Sequence, residues 1–452
     1  MFRAAAAPRP PAFRACLRIF RMAPSIAPVA TSTDLPACAT VVVIGGGIVG
    51  LTAALTLAER GICVVVLEKG RLAGEQSSRN LGWVRKMGRA APDMPMSLAS
   101  DRLWKEMTAR VGADVGYRQA GIMYLAGTAA EMAMHESWMK AVAPLELDSR
   151  LLTQGEIDVL VPGGRGGWAG GIFTPSDGRA EPTLASSAIA NAMQRRGGVI
   201  VEHCAVRSLT LAAGRVSGVV TERGEIRCEQ VLLAGGLWSR RFLGNLGVAL
   251  PTLPLICHAI RTAPMQGPTE IAVGGPDFSF RKRRDGGFTI THRAALGAPL
   301  LLDHLLIGRR YLPVLKRQRH MLRLSLGRHF LNDLAMPRRW SSADVSPFER
   351  VRTMDPAVDD TINAQAMRNL AAAWPVFENA RVEEVWAGMM DITPDSLPAI
   401  GPVAAVPGLT LAAGFSGHGF GTAPAAGQLA ADLVMNRTPL IDPSPYRLER
   451  FA

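Results

Sequence analysis

The apolar positions fall into three patterns along the chain. Two short unbroken runs, 40–44 (TVVVI) and 63–67 (CVVVL), are rich in β-branched residues, as strands buried on both faces are. Between them Val49, Ala53, Ala54, Leu57 and Ala58 recur at helical spacing, and Gly61 marks the helix end. Residues 40–68 therefore read as strand, helix, strand. Further buried strands are predicted at 231–236 (VLLAGG) and 409–413, the latter followed by a helix over 423–434. Helical periodicity dominates 93–140, with Leu98, Leu103, Trp104, Met107 and Val111 as the stripe, and a second helix runs from Pro182 to a stop at Gly197. Strand-like patterns occupy 117–127, 199–206, a hairpin of 215–220 with 226–230, and much of 250–300. In that last region Asp285-Gly286 marks a turn, and the neighbouring Arg281, Lys282, Arg283 and Arg284 read as solvated edge charges. Residues 155–171 read as a glycine-rich connection.

The turn between the first strand and helix is Gly45-Gly46-Gly47-Ile48-Val49-Gly50, a G-x-G-x-x-G. Gly45 suits the tight turn, Gly47 the approach of a pyrophosphate and Gly50 close helix–strand packing, with the diphosphate on the helix N-terminus. Glu68 closes the second strand, where a ribose would be held. This unit alone fits FAD or NAD. Lys69 follows, then the small polar loop Gln76, Ser77, Ser78, Arg79, Asn80, Leu81, Gly82, which suits contact with a flat ring; an ordinary polar loop is the alternative. A second glycine-rich turn, GFSGHGFG over 414–421, precedes the last helix and can aim its dipole at the electron-rich end of a flavin.

A chain of 452 residues, 48% apolar, predicts two folded domains. The net charge of +12 is uneven: five arginines lie in the first 21 residues, and 309–339 holds nine Lys and Arg against Asp333 alone. The remainder is only mildly basic, so nucleic acid is not the expected partner. For 309–339 a solvated basic face on a core helix is expected, with docking to an anionic membrane surface or an acidic partner as the alternative. Residues 1–38 read as a disordered or mis-started extension, Met22 offering a second start; a targeting leader is the third reading. The six cysteines are scattered without C-x-x-C spacing, Cys63 inside the second strand, which predicts buried free thiols, no metal site and a cytoplasmic setting.

Four pieces occur in order: VVVIGGGIVG with Glu68, the loop Ser77 to Gly82, VLLAGGLWS at 231–239, and TPDSLPAIGP followed by GFSGHGFG at 393–421. Over 40–437 the chain thereby resembles the FAD-dependent amine and amino-acid oxidoreductases, which include D-amino acid oxidase, glycine oxidase, sarcosine oxidase and D-amino acid dehydrogenase. The resemblance implies an α/β fold: a Rossmann-type FAD-binding domain (39–92, 168–247 and 384–440) with a second, α+β domain of mixed or antiparallel sheet for the substrate (93–167 and 248–383). It implies FAD contacts at Gly45, Gly47, Ile48, Val49, Gly50, Glu68, Lys69, Ser77, Ser78, Arg79, Asn80, Leu81 and Gly82. Further contacts are implied at Val206, Ala234, Gly235, Gly414, Gly417, His418, Gly419, Phe420 and Gly421. The implied chemistry is oxidation of a C–N bond by hydride transfer to the flavin, with hydrolysis of the imine.

Departures from the family pattern bear on the substrate. Gly388 stands where some members attach FAD through cysteine, so FAD is expected to be non-covalent. Met390 stands where many members place a carboxylate-binding arginine, and Gly421 where sarcosine oxidase has lysine. Arg85 and His418 are the candidate catalytic residues. Arg85 is the substitute carboxylate anchor, with Arg79 second and a salt bridge or flavin-phosphate contact as the alternative; His418 is a residue of the flavin loop rather than a general base. Trp83 and Met390 join Arg85 around the substrate, a D-amino acid, N-methyl amino acid or opine-like amine. Oxygen or a partner protein would accept the electrons. A dehydrogenase subunit, a non-catalytic flavin scaffold and an NAD(P)-linked enzyme are the competing readings.

Overall fold

The computed structural model describes residues 20–21 and 23–452. Strand Cys38–Ile44 lies parallel between Val64–Leu67 and Gly224–Leu233, and Val64–Leu67 pairs onward with Val199–Val201. Val41, Val42 and Val43 are wholly buried, which is why this strand carries no polar alternation. The 215–220 and 226–230 hairpin and the run at 231–236 merge: Gly224–Leu233 is one strand. Its first residues pair antiparallel with Arg215–Thr221, and its last three pair parallel with Leu409–Ala413. One face of this sheet is covered by the helices Ile48–Glu59, Pro182–Arg195 and Gly419–Val434, whose alanine-rich contacts allow close packing.

The second sheet is mixed and has eleven strands among the described residues. Val382–Ile392 pairs antiparallel with Leu253–Thr262 along its length. The order continues through Phe288–Thr291, Ser279–Lys282, Ala272–Gly274, Ile122–Ala126, Gly170–Thr174 and Arg150–Leu152. Trp374, Phe278, Phe280, Phe288 and Phe377 fill its core. Sheet membership departs from the expected boundaries at three places. Strands Gly170–Thr174 and Val382–Ile392 belong to the second sheet. Helix Met94–Val111 packs on the first unit, because its stripe (Met96, Trp104, Met107, Val111) is buried with the residues of Gly419–Val434.

Other local expectations change as well. The 155–171 connection begins with a helix, Gln154–Leu160, set by a capping box of Thr153 and Glu156. Cys38 and Cys63 are exposed, because the second strand starts at Val64 and leaves Cys63 in the turn before it; Cys204 and Cys228 are buried. Arg281 is not a solvated edge charge. It is fully buried and pairs with Glu181. Residues 302–335 form no core helix: Gly308, Pro313 and Gly327 divide them into Leu302–Ile307, Leu312–Gln318, Arg328–Ala335 and the strand Leu322–Ser325. Arg240, Arg241 and Arg338 anchor this segment through Asp303 and Asp333. Of the expected extension, residues 1–19 and 22 lie outside the described residues. Ile26 and Val29 pack on the first core, and Ser32 N–H donates to the Ile200 carbonyl.

Candidate active site

A cavity of about 420 Å³ lies between the two sheets. At one end the first strand turns at Gly45 with φ +112°, where a Cβ would sit 2.4 Å from the Ala234 carbonyl oxygen. A Cβ on Gly50 would meet the Gly45 oxygen at 2.3 Å, so only glycine lets the helix start this close to the strand. Gly47 differs: a Cβ there would approach only the Ser77 hydroxyl, at 3.2 Å, and Gly47 lines the cavity. Its open side fits the pyrophosphate expected at this helix N-terminus. Glu68 accepts one backbone N–H on each oxygen, from Gly46 and Gly70, both at 2.8 Å. Burial raises its pKa. Each oxygen keeps a lone pair for a ribose hydroxyl. Ile48, Val49, Val206, Ala234 and Gly235 complete this end, while Gly50 acts from behind the cavity wall.

The loop after Glu68 is braced by its own side chains. Ser77 Oγ accepts from Ile48 N–H, Asn80 bridges Gln76, Ser77 and Gly82, and Ser78 donates to Glu75 O, away from the cavity. Lys69 lines the cavity, yet its ammonium donates to the Val351 and Arg352 carbonyls and pairs with Glu75, so it ties the loop to the 351–352 segment. Arg79 is likewise spent within the protein, on Gly74 O, Ala387 O and Asp355, which removes it as a carboxylate anchor. Leu81 and Gly82 face the cavity. Gly388 packs against the Arg79 side chain, where a Cβ would lie 3.2 Å from two of its carbons.

The second glycine turn closes the other side. Gly417, His418, Gly419, Phe420 and Gly421 line the cavity at the start of helix Gly419–Val434, whose first N–H groups have no intrahelical acceptor. Gly414 does not face it; its N–H donates to Asp391 at 2.7 Å. Gly421 has no room for a side chain, since a Cβ would lie 2.7 Å from the Trp83 oxygen. Arg85 Nη2 lies 3.1 Å from His418 Nε2. Burial, then the charges of Arg89 and Arg85, hold His418 well below its usual pKa, so the ring is neutral, Nε2 accepts and Nδ1 carries the hydrogen. That Nδ1 is buried without a partner among the described residues, as is Asp391 Oδ1. Burial raises the Asp391 carboxyl to about 6. Two orphaned polar atoms at a cavity flanked by two helix N-termini are what a bound flavin nucleotide would satisfy.

Elsewhere on the cavity wall Trp83 and Tyr124 lie 5.8 Å apart, Met390 accepts from the Cys257 thiol, and Arg85 and Arg293 approach the Tyr124 ring. Arg85, Trp83 and Met390, singled out by the sequence, all line the cavity. Tyr124, His258 and Arg293 were not singled out, since each comes from the second sheet and carries no local motif. Asp391 had one signal, an acid in the otherwise apolar run 385–392.

Known proteins match this arrangement. Residues 40–433 fit the family model described as FAD dependent oxidoreductase (DAO). The glycine oxidase of Pseudomonas aeruginosa is 28% identical over 421 residues, 90% of this chain and 97% of that protein. The mitochondrial sarcosine dehydrogenase of Mus musculus is 24% identical over 94% of this chain, which spans 43% of that protein. Among solved structures, the L-amino acid deaminase from Proteus myxofaciens, in complex with anthranilate, is 31% identical with a TM-score of 0.91, covering 96% of this chain and 100% of that one. The chain belongs to the DAO family of FAD-dependent oxidoreductases and is an amino-acid or amine oxidoreductase that uses FAD.

Proposed function

We propose that the protein oxidises the Cα–N bond of an α-amino acid, with the substrate carboxylate on Arg85. The Gly45–Gly50 turn, Glu68 and the two flavin loops would hold FAD, which would supply a two-electron acceptor for the hydride leaving Cα. The resulting imine hydrolyses in water to an oxo acid. Arg85 orients the substrate through its carboxylate, Trp83 and Tyr124 wall the cavity from water, and neutral His418 holds Arg85 in place through Nε2. The observation that carries the reading is Arg85 itself. It lines the cavity, touches the flavin loop, and has no carboxylate partner among the described residues. Likeness to the L-amino acid deaminase over 96% of the chain supports the L configuration.

The test is anaerobic flavin bleaching across L-, D- and N-methyl amino acids and amines lacking a carboxylate. Arg85→Ala should weaken amino-acid binding about 30- to 100-fold, the worth of a charge-assisted pair, without affecting amines. Equal losses for both classes would remove Arg85 as the anchor. Peroxide release in air distinguishes oxygen from a partner as acceptor.

A second reading concerns location. Leu305, Leu306, Leu312, Leu315, Leu324, Leu326, Leu331 and Leu334 are exposed among Arg309, Lys316, Arg319, Arg323 and Arg328, which have no ion pair among the described residues. This supports docking to an anionic lipid surface. No described helix is long and apolar enough to cross a membrane. Salt-sensitive co-sedimentation with phosphatidylglycerol vesicles, lost in Leu305→Ser/Leu306→Ser, is the expected result; equal binding to phosphatidylcholine or none at all overturns it.

A further inference from the structure

Buried arginines in this protein generally have an acid of their own. Arg281 pairs with Glu181, Arg179 with Glu270, Arg89 with Asp93 and Arg79 with Asp355. Arg85 and Arg293 are half-buried and differ. Neither has an acidic partner within ion-pair distance among the described residues, and both line the cavity. They come from opposite parts of the fold. Arg85 follows the short strand Trp83–Val84 and Arg293 follows Phe288–Thr291. Both converge on Tyr124, their guanidinium carbons 5.7 and 4.1 Å from its ring centroid.

Each keeps donors in reserve. Arg293 gives one N–H to the Gly275 carbonyl, and Arg85 gives one to the Met87 carbonyl besides its contact with His418. None of their nitrogens is sealed off without a partner, so the unspent N–H groups are accessible on residues that line the cavity. Glu131, the acid whose charge acts on Arg293, is held by Gly127 N–H at 2.6 Å on the neighbouring helix. Two like charges without an ion-pair partner repel each other, and half-burying them unpaired is unfavourable. A single carboxylate neutralises one of them and leaves the other.

We propose that the substrate is dianionic: an amino acid with two carboxylates, one held by Arg85 and the other by Arg293, as in an acidic α-amino acid or an iminodicarboxylate. This rests on the amino-acid oxidase reading above. Arg293 is thereby a specificity residue, and Arg85 the anchor nearer the flavin loop. Both guanidinium carbons lie within 5.7 Å of one tyrosine ring centroid, which suits a small substrate rather than a long apolar one.

The test uses the FAD-loaded protein and pairs that differ only in the second charge: glutamate against glutamine, aspartate against asparagine in both configurations, and iminodiacetate against sarcosine. Binding is read from the flavin difference spectrum and turnover from anaerobic bleaching. Each dianion should bind at least tenfold more tightly than its neutral partner. Arg293→Gln should abolish that preference while leaving the FAD content unchanged, and Arg293→Lys should restore part of it. Succinate and glutarate, which have no C–N bond to oxidise, should perturb the flavin spectrum in the parent and not in Arg293→Gln. Succinate or glutarate binding without bleaching by any amino acid would count against the oxidase reading and in favour of the paired anchor. Equal affinity within each pair, or dianion preference retained in Arg293→Gln, overturns the proposal.

Discussion

Glu181→Gln probes the contact that joins the two sheets beside the flavin loop. Arg281 reaches from the second sheet, gives a bidentate pair to Glu181 at 2.7 and 2.9 Å, and also donates to the Leu81 carbonyl of the loop. Both side chains are almost wholly inaccessible. Burial alone would raise the Glu181 pKa. The charge and hydrogen bonds of Arg281, the charge of Arg283 and the Arg284 N–H outweigh it, and the carboxyl falls to about 2. The shift from the usual 4.5 corresponds to about 3 kcal/mol of stability. Because the folded pKa is depressed, this contribution is complete above the unfolded value and lost as pH falls through the folded one. Gln cannot offset the guanidinium charge, so the variant should lose about 3–5 kcal/mol at neutral pH. That is a large part of the roughly 5–15 kcal/mol that holds a typical domain together. Urea unfolding followed by circular dichroism measures the deficit, which should shrink as the pH approaches 2. The double variant Glu181→Leu/Arg281→Met should be less damaged than either single change, since it leaves no buried charge. A deficit under about 1 kcal/mol at neutral pH, or a double variant worse than both singles, would refute the reasoning.

Gly50→Ala drives a methyl into the Gly45 carbonyl and should cost about 1–3 kcal/mol with loss of FAD, read by thermal melting and flavin absorbance. Gly47→Ala meets only a hydroxyl, so it should keep the melting temperature of the FAD-free protein and lose FAD affinity alone. Asp391→Asn removes a carboxyl whose folded pKa is raised to about 6; its favourable contribution is present at low pH and lost as pH rises through that value. The FAD-free variant should therefore exceed the parent in stability by up to about 3 kcal/mol at neutral pH and match it in acid, by denaturant titration.

The flavin end was legible because its determinants are local. A glycine turn between a buried strand and a helix, an acid closing the next strand and a glycine-rich turn before the last helix each act within a few residues of chain. The order of those pieces was enough to place the family. Charge is different, because a charged side chain's partner need not be its neighbour in sequence. Arg281 looked like a turn charge beside Asp285-Gly286, yet pleating of Ser279–Lys282 turns it inward, onto Glu181 a hundred residues earlier. Lys69 and Arg79 line the cavity as their place in its loop suggests, but the 351–355 segment and the Ala387 carbonyl take donors of their charged ends.

By itself the sequence determined that the chain folds as an FAD-binding unit with a second sheet, because strand burial, helix spacing and turn chemistry are properties of short stretches. The pairing of Arg85 with His418 and the meeting of Arg85 and Arg293 at Tyr124 were decided only by tertiary structure. These residues lie on separate elements, from the 83–84 strand to helix 419–434, and share no periodicity. Only the packing of the two sheets brings the unpaired charges to one cavity.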